Sequence, residues 1–556
     1  MQLKYKKSII QTIVIIFVLV LVADRFYWAQ IAQWREDQAT NLWIGYTSHI
    51  NSMPVGLISS QNIPNPNGML LLGKLLSILP NLLSISFFLG ISQAAILIFV
   101  GLRAFNKDSI LLLLVTLPGL TSIVLRSSSV EFWNQYVITL VNIFFIYWAV
   151  KYLQDRSPWN LLAITVLIFI APSLYLAGIV NALSMAVITF GLLIITPPFK
   201  RGLSGAIILF IVITILSVML TWIPYFQNVP HEQITGYNKS SLGGSEMFRI
   251  AWESFFNLPA YVTFQWAERP TYKLAIKHAD PRIITTISQI SIRLAGRIYL
   301  IQAVFAFIAF TYMVFFRLWN GSSKNGTAKS NINISAARIV IFSAIFIAVS
   351  YTISSWLGGP AWLDGERPDQ NVQFLPMFLF IIFLLPFVIF SEGKSKKVIS
   401  TMSVGLLALF SVTNLIGGFS IIKDHLQYRG NELTEADIPL IDKTNAVDFI
   451  ASDWKEHSTS AIIPVDYDLG GDVWDWVPEF GVKLLPWYPA PMTQGRSFDY
   501  ELLRRYGLSN KQEGIQIRTF GSGRYLITYS FEDAPTVENG EISHYIFGRL
   551  RVSIVI

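Results

Sequence analysis

Two adjacent carboxylates, Glu36 and Asp37, follow the first long apolar run of the chain and are the side chains best suited to chemistry. They lie in the polar stretch Trp34–Leu42, at the predicted start of a helix. A carboxylate held at a membrane surface can act as a general base on the hydroxyl of a substrate. The same pair could instead stabilise the helix by interacting with the positive end of its dipole. The residues alone leave both interpretations open.

Three further charges stand beside predicted membrane segments. Arg126 and Glu131 come between the third and fourth apolar runs, where an ionisable group needs a partner or a water-filled cavity. They could satisfy this need by pairing with each other. Lys74 is the only charge in the amphipathic stretch Met69–Leu79, which is predicted to lie along the bilayer surface.

The C-terminal part of the sequence has two other candidate patterns. Four carboxylates between Asp466 and Asp475 could hold a hard cation such as Ca²⁺, although their order is not that of an EF-hand. An exposed acidic loop is the alternative. Several aromatic side chains could stack on sugars, fill the core of a small domain, or face the membrane surface. These are Trp474, Trp476, Trp487 and Tyr488.

The composition predicts which elements position these residues. Of the 556 residues, 53% are hydrophobic and 14% charged, whereas a soluble domain usually carries about 25% charged residues. This excludes an ordinary soluble enzyme and indicates a polytopic membrane protein. The absence of cysteine excludes disulfides and thiolate metal sites. About eleven spans are predicted, at residues 8–23, 82–102, 109–125, 132–150, 160–178, 181–196, 204–222, 298–316, 339–357, 372–390 and 399–420.

Basic residues fall on every second connection between these spans. The positive-inside rule places such connections in the cytoplasm, together with the N-terminus. This explains the net charge of +7 without a nucleic-acid partner. The residues are Lys4, Lys6, Lys7, Arg103, Lys107, Lys151, Arg156, Lys200, Arg201, Arg317, Lys324, Lys329, Arg338, Lys394, Lys396 and Lys397.

A shift in charge marks the predicted domain boundary. Residues 421–556 hold 20 of the 35 acidic residues but only 13 of the 42 basic ones. We therefore predict a membrane domain at 1–420 and a small α/β domain at 421–556, extracytoplasmic because the number of spans is odd. Its predicted helices are 440–455 and 498–506, and its predicted strands are 461–465, 525–529 and 545–556.

The layout resembles the GT-C class of integral membrane glycosyltransferases, such as the protein O-mannosyltransferases and the aminoarabinose transferase of lipid A. Those enzymes carry an acidic pair, in a setting like Asp-Glu-Ala, in the first outer loop. Here Glu36-Asp37-Gln38-Ala39 stands at that place with the order of the acids reversed. Arg126 and Glu131 resemble an Arg and an acid before the fourth span of the family. Val372–Pro376 resembles an aromatic-Leu-Leu-Pro sequence that opens a late span.

The resemblance implies transfer of a sugar from a polyprenyl phosphate to an acceptor on the extracytoplasmic face, with inversion at the anomeric carbon. Asp37 would be the base, while Glu36 or Glu131 would orient the acceptor or a divalent metal ion. No other cofactor is implied. The acceptor would be a glycan, a lipid or a protein. Cations would neutralise the leaving phosphate, and the candidates are Arg126, Arg367, Lys74 and His231.

Three alternatives remain. An O-antigen-ligase-like or polymerase-like enzyme would also use a long outer loop, but the acidic pair in the first loop argues against it. A transporter of lipid-linked glycans would carry charges in the middle of its spans, and these spans are nearly free of them. A membrane anchor for a binding domain would not need eleven spans.

Overall fold

The computed structural model describes fourteen parts of the chain. They are residues 2–34, 36–47, 56, 65–105, 108–196, 203–229, 283–320, 334–356, 372–389, 393–428, 438–469, 496–510, 525–530 and 542–555. The fold is mainly helical, with long apolar helices followed by a small C-terminal sheet.

The helices of the N-terminal part form a bundle, and their order follows the apolar runs of the sequence. They are α1 Gln2–Gln30, α2 Glu36–Thr47, α3 Gly68–Leu76, α4 Leu82–Phe105, α5 Ser109–Thr121, α6 Ile123–Ser129, α7 Asn134–Asp155, α8 Pro158–Leu174, α9 Gly178–Ile195, α10 Leu203–Ser217, α11 Ile223–Asn228, α12 Thr286–Asn320, α13 Ile334–Trp356, α14 Leu375–Ile389 and α15 Gly393–Gln427. A π-helical turn, Val218–Trp222, joins α10 to α11.

Eight helices of the described residues are long and apolar enough to cross a membrane. A ninth is obtained if α5 and α6, which meet at a bend of 62°, are counted as one span. Helix α8 is apolar but shorter than these. The helices fit a multi-pass membrane protein, and every predicted span overlaps a helix. The number eleven stays a prediction.

Neutral polar side chains join the helices inside the bundle. Asn181 of α9 donates through its Nδ2 to Oδ1 of Asn142 at 3.1 Å and to Oε1 of Gln373 at 2.8 Å. Asn142 of α7 donates in turn to the main-chain oxygen of Gln373 at 3.3 Å. All three side chains are buried. Hydrogen bonds of this kind hold membrane helices together where apolar contact alone gives little preference over lipid. We call these residues the amide cluster.

The C-terminal domain contains two helices and two small sheets. The helices are α16 Leu440–His457 and α17 Arg496–Tyr506, and the strands are β1 Ile462–Ile463, β2 Val465–Asp468, β3 Ser509–Asn510, β4 Tyr525–Tyr529, β5 Ile542–Phe547 and β6 Leu550–Val555. The larger sheet has the order β2-β4-β6-β5, with β2 parallel to β4 and the other pairs antiparallel. Strands β1 and β3 form a separate parallel pair.

The predicted helices of this domain are confirmed, but two predicted strands are wrong in detail. Residues 545–556 do not form one strand, because the chain reverses after Phe547 and forms the β5–β6 hairpin. Gly548 adopts a φ of +59° in that turn, a conformation that favours glycine. The predicted strand at 461–465 is interrupted at Pro464, which separates β1 from β2.

The domain packs against one end of the bundle, which we call the covered end. Three basic residues of the bundle lie at the opposite end, where α4 and α7 finish and α13 begins. Arg103, Lys151 and Arg338 lie there. Val100, Lys151 and Ile339 line a shallow, mostly apolar cleft of about 300 Å³, counted with its open mouth. This cleft is far from the predicted site residues, since Leu82, at the other end of α4, contacts the C-terminal domain.

Candidate functional site

The β5–β6 hairpin of the C-terminal domain is hydrogen-bonded to the end of α15, the last helix of the bundle. The guanidinium of buried Arg549 donates to the main-chain oxygens of His425 and of Tyr428, the latter at 3.2 Å. These carbonyls lie at the C-terminal end of α15, where the main-chain oxygens of a helix are commonly capped by a basic side chain. The backbone N–H of Arg549 donates to the carboxylate of Asp442 at 3.0 Å, which ties the same turn to α16. The domain therefore has a fixed place on the covered end.

Helix α17 provides a second attachment. Arg504 donates to the main-chain oxygens of Ser77 at 2.7 Å and Ile78 at 3.1 Å, just after α3. Its guanidinium lies 5.6 Å from the ring centre of Tyr46 in α2. Glu501, one turn earlier, accepts the backbone N–H of Leu82, the first residue of α4. The domain thus binds the ends of three consecutive bundle helices, α2, α3 and α4.

Glu501 is a buried carboxyl at this interface. Burial raises the pKa of Glu501 to about 7, while its bond from Leu82 and the nearby Arg505 oppose the shift. Arg505 is itself bound to Asp448 of α16 at 2.6 Å. The protonation state of this carboxyl can therefore change near neutral pH, at the contact between the two domains.

Trp34, just before the acidic pair, joins several elements of the covered end. Its indole N–H donates to Oγ of Ser86 in α4 at 2.9 Å. Its ring stacks on Phe132, with ring centres 6.2 Å apart. Its main-chain oxygen accepts from Nζ of Lys443 in the C-terminal domain at 3.2 Å. The backbone that leads into α2 is therefore held by α4, by the segment that carries Glu131, and by the C-terminal domain.

Asp24, Arg25 and Arg126 form a buried ion cluster at the covered end. The carboxylate of Asp24 in α1 binds Arg25 at 2.6 Å and also binds Arg126 of α6, 102 residues later. All three side chains are almost completely buried. The guanidinium of Arg126 lies 5.6 Å from the ring centre of Trp28. Two cations share one carboxylate here, so the cluster has an excess of one positive charge.

The break between α5 and α6 explains why the cluster lies here. A bend leaves main-chain groups without partners in their own helix, and such groups must be satisfied inside a membrane protein. Arg25 donates to the oxygen of Leu120 at 3.2 Å, and the side chain of Asn414 accepts the N–H of Ile123 at 3.0 Å. The main-chain oxygen of Asn414 accepts from Arg126. Gly418, one turn on, leaves room for that guanidinium, since a Cβ there would overlap it.

The predicted site residues are only partly brought together. Glu36 and Asp37 begin α2, as expected, though the positions of their side chains lie outside the described residues. Glu131 is buried, and the residue after it stacks on Trp34. The ion pair of Arg126 is with Asp24, so the alternative that it pairs with Glu131 is wrong.

The other three predicted phosphate ligands are elsewhere or outside the described residues. Lys74 donates to the main-chain oxygen of Gly45 at 3.3 Å. Gly45 follows Asp37 by eight residues, which is about 12 Å along a helix at 1.5 Å per residue. Lys74 therefore lies at the other end of α2. His231 and Arg367 fall outside the described residues.

No metal site is evident in the parts of the chain that the structure describes. They contain no group of three or more His, Asp or Glu side chains placed to hold a metal ion. The side chains of Glu36 and Asp37 lie outside the part of the chain that the structure describes, so a metal at the acidic pair stays a prediction. The acidic stretch Asp466–Asp475 is described only up to Leu469, and the four aromatic candidates 474, 476, 487 and 488 fall outside the described residues.

Sequence reasoning missed the residues that build this end of the molecule. Asp24 follows the predicted first span, residues 8–23, but α1 continues to Gln30 and Asp24 is buried. The signal was an adjacent acid and base inside a run that stays apolar and aromatic as far as Trp28. Lys443 also gave a signal, because it interrupts the apolar face of α16 formed by Leu440, Val447 and Ile450.

No protein-family model and no curated protein matches this chain. What the fold defines is a mainly helical membrane protein with a small C-terminal sheet domain. The resemblance to GT-C glycosyltransferases therefore continues to depend on the sequence patterns given above.

Proposed function

We propose that the protein is a glycosyltransferase that moves a sugar from a polyprenyl phosphate to an acceptor at the covered end of the bundle. The observation that supports this most is the position of Trp34. Its contacts place the start of α2, where Glu36 and Asp37 stand, beside the Glu131 segment and beneath the C-terminal domain. An acidic pair at such a boundary lies where a lipid-borne donor and a water-borne acceptor can meet.

Three basic residues at helix ends away from the C-terminal domain support the proposed orientation. Arg103, Lys151 and Arg338 lie at the end opposite to the C-terminal domain. Under the positive-inside rule that end is cytoplasmic, and the covered end is extracytoplasmic. A reporter enzyme fused after Ile556 is then expected to be active only outside the cytoplasm. Activity in the cytoplasm would contradict the orientation.

The proposed chemistry is a single displacement at the anomeric carbon. Asp37 accepts the proton of the acceptor hydroxyl as that oxygen forms its bond to carbon. The bond from carbon to the phosphate oxygen breaks, and the polyprenyl phosphate leaves with the electron pair. Positive charge must stabilise this leaving group. The excess charge of the Asp24–Arg25–Arg126 cluster supplies a positive potential at this end, although both terminal nitrogens of Arg126 are already engaged.

The function can be tested with the purified protein in nanodiscs. Undecaprenyl phosphates carrying glucose, mannose, galactose, N-acetylglucosamine or aminoarabinose would be offered together with an extract of envelope lipids, glycans and proteins. Release of undecaprenyl phosphate and an inverted anomeric linkage in the product are expected for one donor. UDP-glucose is expected to be inert. If none of the lipid donors is consumed, and undecaprenyl phosphate does not raise the melting temperature more than undecaprenol does, the proposal is wrong.

Asp37→Asn is the first variant to compare with wild type. Loss of the base is expected to lower the transfer rate at least about 100-fold, because general base catalysis typically contributes 10²–10⁴-fold. The melting temperature should change little, since the substitution is nearly isosteric. Glu36→Gln is the matched variant at the neighbouring carboxylate. If Asp37→Asn keeps normal activity while Glu36→Gln loses it, the two roles are exchanged.

A further inference from the structure

Lys443 occupies a position where a lysine is costly. It lies on the face of α16 that also carries Leu440, Val447 and Ile450, and only 1% of it is exposed. A buried ammonium group lowers stability unless it is hydrogen-bonded and its charge is compensated. A lysine at this position calls for an explanation outside the hydrophobic core of the C-terminal domain.

The hydrogen bonds of Lys443 are directed across the boundary between the two domains. Its Nζ donates to the main-chain oxygen of Trp34 and to Oγ of Ser497, both at 3.2 Å. It also lies 5.6 Å from the ring centre of Phe498. Trp34 precedes the first residue of α2 by two positions. Lys443 is therefore a cation that the C-terminal domain places near the start of α2.

The charge of Lys443 has a direct effect at that position. The N-terminus of a helix is the positive end of its dipole, so a nearby cation is unfavourable there by itself. The combined positive potential favours negative charge on the first residues of α2, which are Glu36 and Asp37. A base in that place must be ionised before it can accept a proton.

We propose that Lys443 is a positioning residue of the transfer site, contributed by the C-terminal domain. It fixes the main chain at Trp34, and its charge keeps the acidic pair at the start of α2 ionised. This inference rests on the proposed glycosyl transfer for its chemical meaning. The contact itself does not depend on turnover, and the two can therefore be tested separately.

Hydrogen–deuterium exchange tests the contact. In Lys443→Met, the amides of residues 36–47 are expected to exchange about tenfold faster, the loss that a hydrogen bond to a charged group implies. Arg504→Met is the matched control, because it removes another cation that bonds main-chain oxygens across the same interface. Its effect should be confined to residues 77–81 and to the last turn of α2 around Tyr46, and the amides at the start of α2 should exchange as in wild type. Unchanged exchange at 36–47 in Lys443→Met would overturn the inference.

The dependence of the transfer rate on pH tests the electrostatic role. Loss of the cation is expected to move the acidic limb of kcat/KM upward by about one pH unit, while Lys443→Arg restores the wild-type limb. In Arg504→Met, the acidic limb of kcat/KM should stay at its wild-type pH. A rise in KM with an unmoved limb would overturn the inference, since it would mean that Lys443 only contacts the donor phosphate.

Two further outcomes separate the inference from the proposed function. A wild-type protein that consumes none of the lipid donors contradicts the proposed function, whereas the exchange experiment still shows whether Lys443 holds α2. If Lys443→Met does not fold, Lys443→Gln keeps a hydrogen-bond donor without the charge. In Lys443→Gln, the acidic limb of kcat/KM is expected to move upward while the amides of residues 36–47 exchange at nearly the wild-type rate. An unmoved limb would contradict the electrostatic role.

Discussion

The covered end and the interior of the bundle satisfy buried polar groups in different ways. At the covered end, Asp24, Arg25 and Arg126 form a cluster with an excess of positive charge. In the interior, Asn142 and Asn181 belong to the amide cluster, which is neutral. Neutral amides join helices at modest cost, whereas an unbalanced buried charge is costly and needs a reason. The comparison shows that neutral hydrogen bonds join helices in the interior, whereas the covered end contains an ion cluster that is not neutral.

The largest expected effect comes from removing the carboxylate that balances the ion cluster. Asp24→Asn leaves two guanidinium groups buried without their shared anion, and breaking a buried pair typically costs about 3–5 kcal/mol. We expect a strongly lowered melting temperature in detergent. Asp155→Asn is the control, because Asp155 is exposed and pairs with Lys151 at 3.8 Å, an arrangement worth at most about 0.5 kcal/mol. Equal effects of the two variants would contradict the special cost of the covered end.

The second effect concerns the pH dependence of domain docking. Because the pKa of Glu501 is raised to about 7, the docked protein retains a proton that the unfolded chain releases at lower pH. Stability should therefore rise as the pH falls from about 7 towards the ordinary range of a glutamate, by at most about 3 kcal/mol. Thermal melts between pH 5 and 8 measure this.

Glu501→Gln is expected to flatten that dependence, because the amide cannot ionise. Glu456→Gln, which alters an exposed carboxyl of the same domain, should leave it unchanged. The expectation fails if wild type and Glu501→Gln lose stability in parallel as the pH rises. In that event the slope would arise from other titratable groups of the protein.

The smallest effect is expected in the amide cluster. Asn181→Leu removes two hydrogen bonds but leaves no charge unbalanced, so a loss of about 1 kcal/mol is expected in the free energy of unfolding. Thr165→Val is the matched control, since the hydroxyl of Thr165 donates to the main-chain oxygen of Leu161 within its own helix. Sugar transfer should survive in Asn181→Leu. A loss of transfer without a loss of stability would assign function to the interior as well.

The positions of the helices could be predicted from the sequence because each one carries its own signal. An apolar run of membrane length needs no distant partner to be recognised, and the start of α2 at Glu36 followed from local polarity. Helix α17 and strand β4 were found in the same way. A local residue pattern is therefore sufficient to predict an element whose formation depends mainly on neighbouring residues.

The charged contacts of the covered end could not be predicted, because they join residues far apart in the chain. Asp24 and Arg126 are 102 residues apart, and Lys443 is 409 residues from Trp34. A prediction from hydropathy alone ends the first span at residue 23, before Asp24, because it counts every charged residue as exposed. A similar failure occurred at residues 545–556. The alternation of apolar and polar side chains there predicted a single strand, but it gave no sign that the chain reverses at Gly548.

The order of strands in the larger sheet has a consequence for biosynthesis. Strand β6 lies between β4 and β5, although it follows both of them in the chain. Ribosomal synthesis delivers β4 and β5 first, and β6 must be added before the sheet can join them. Arg549, which caps α15, stands just before β6. The membrane helices can therefore be inserted well before the covered end closes, and the acidic pair would gain its final surroundings only as one of the last steps of maturation.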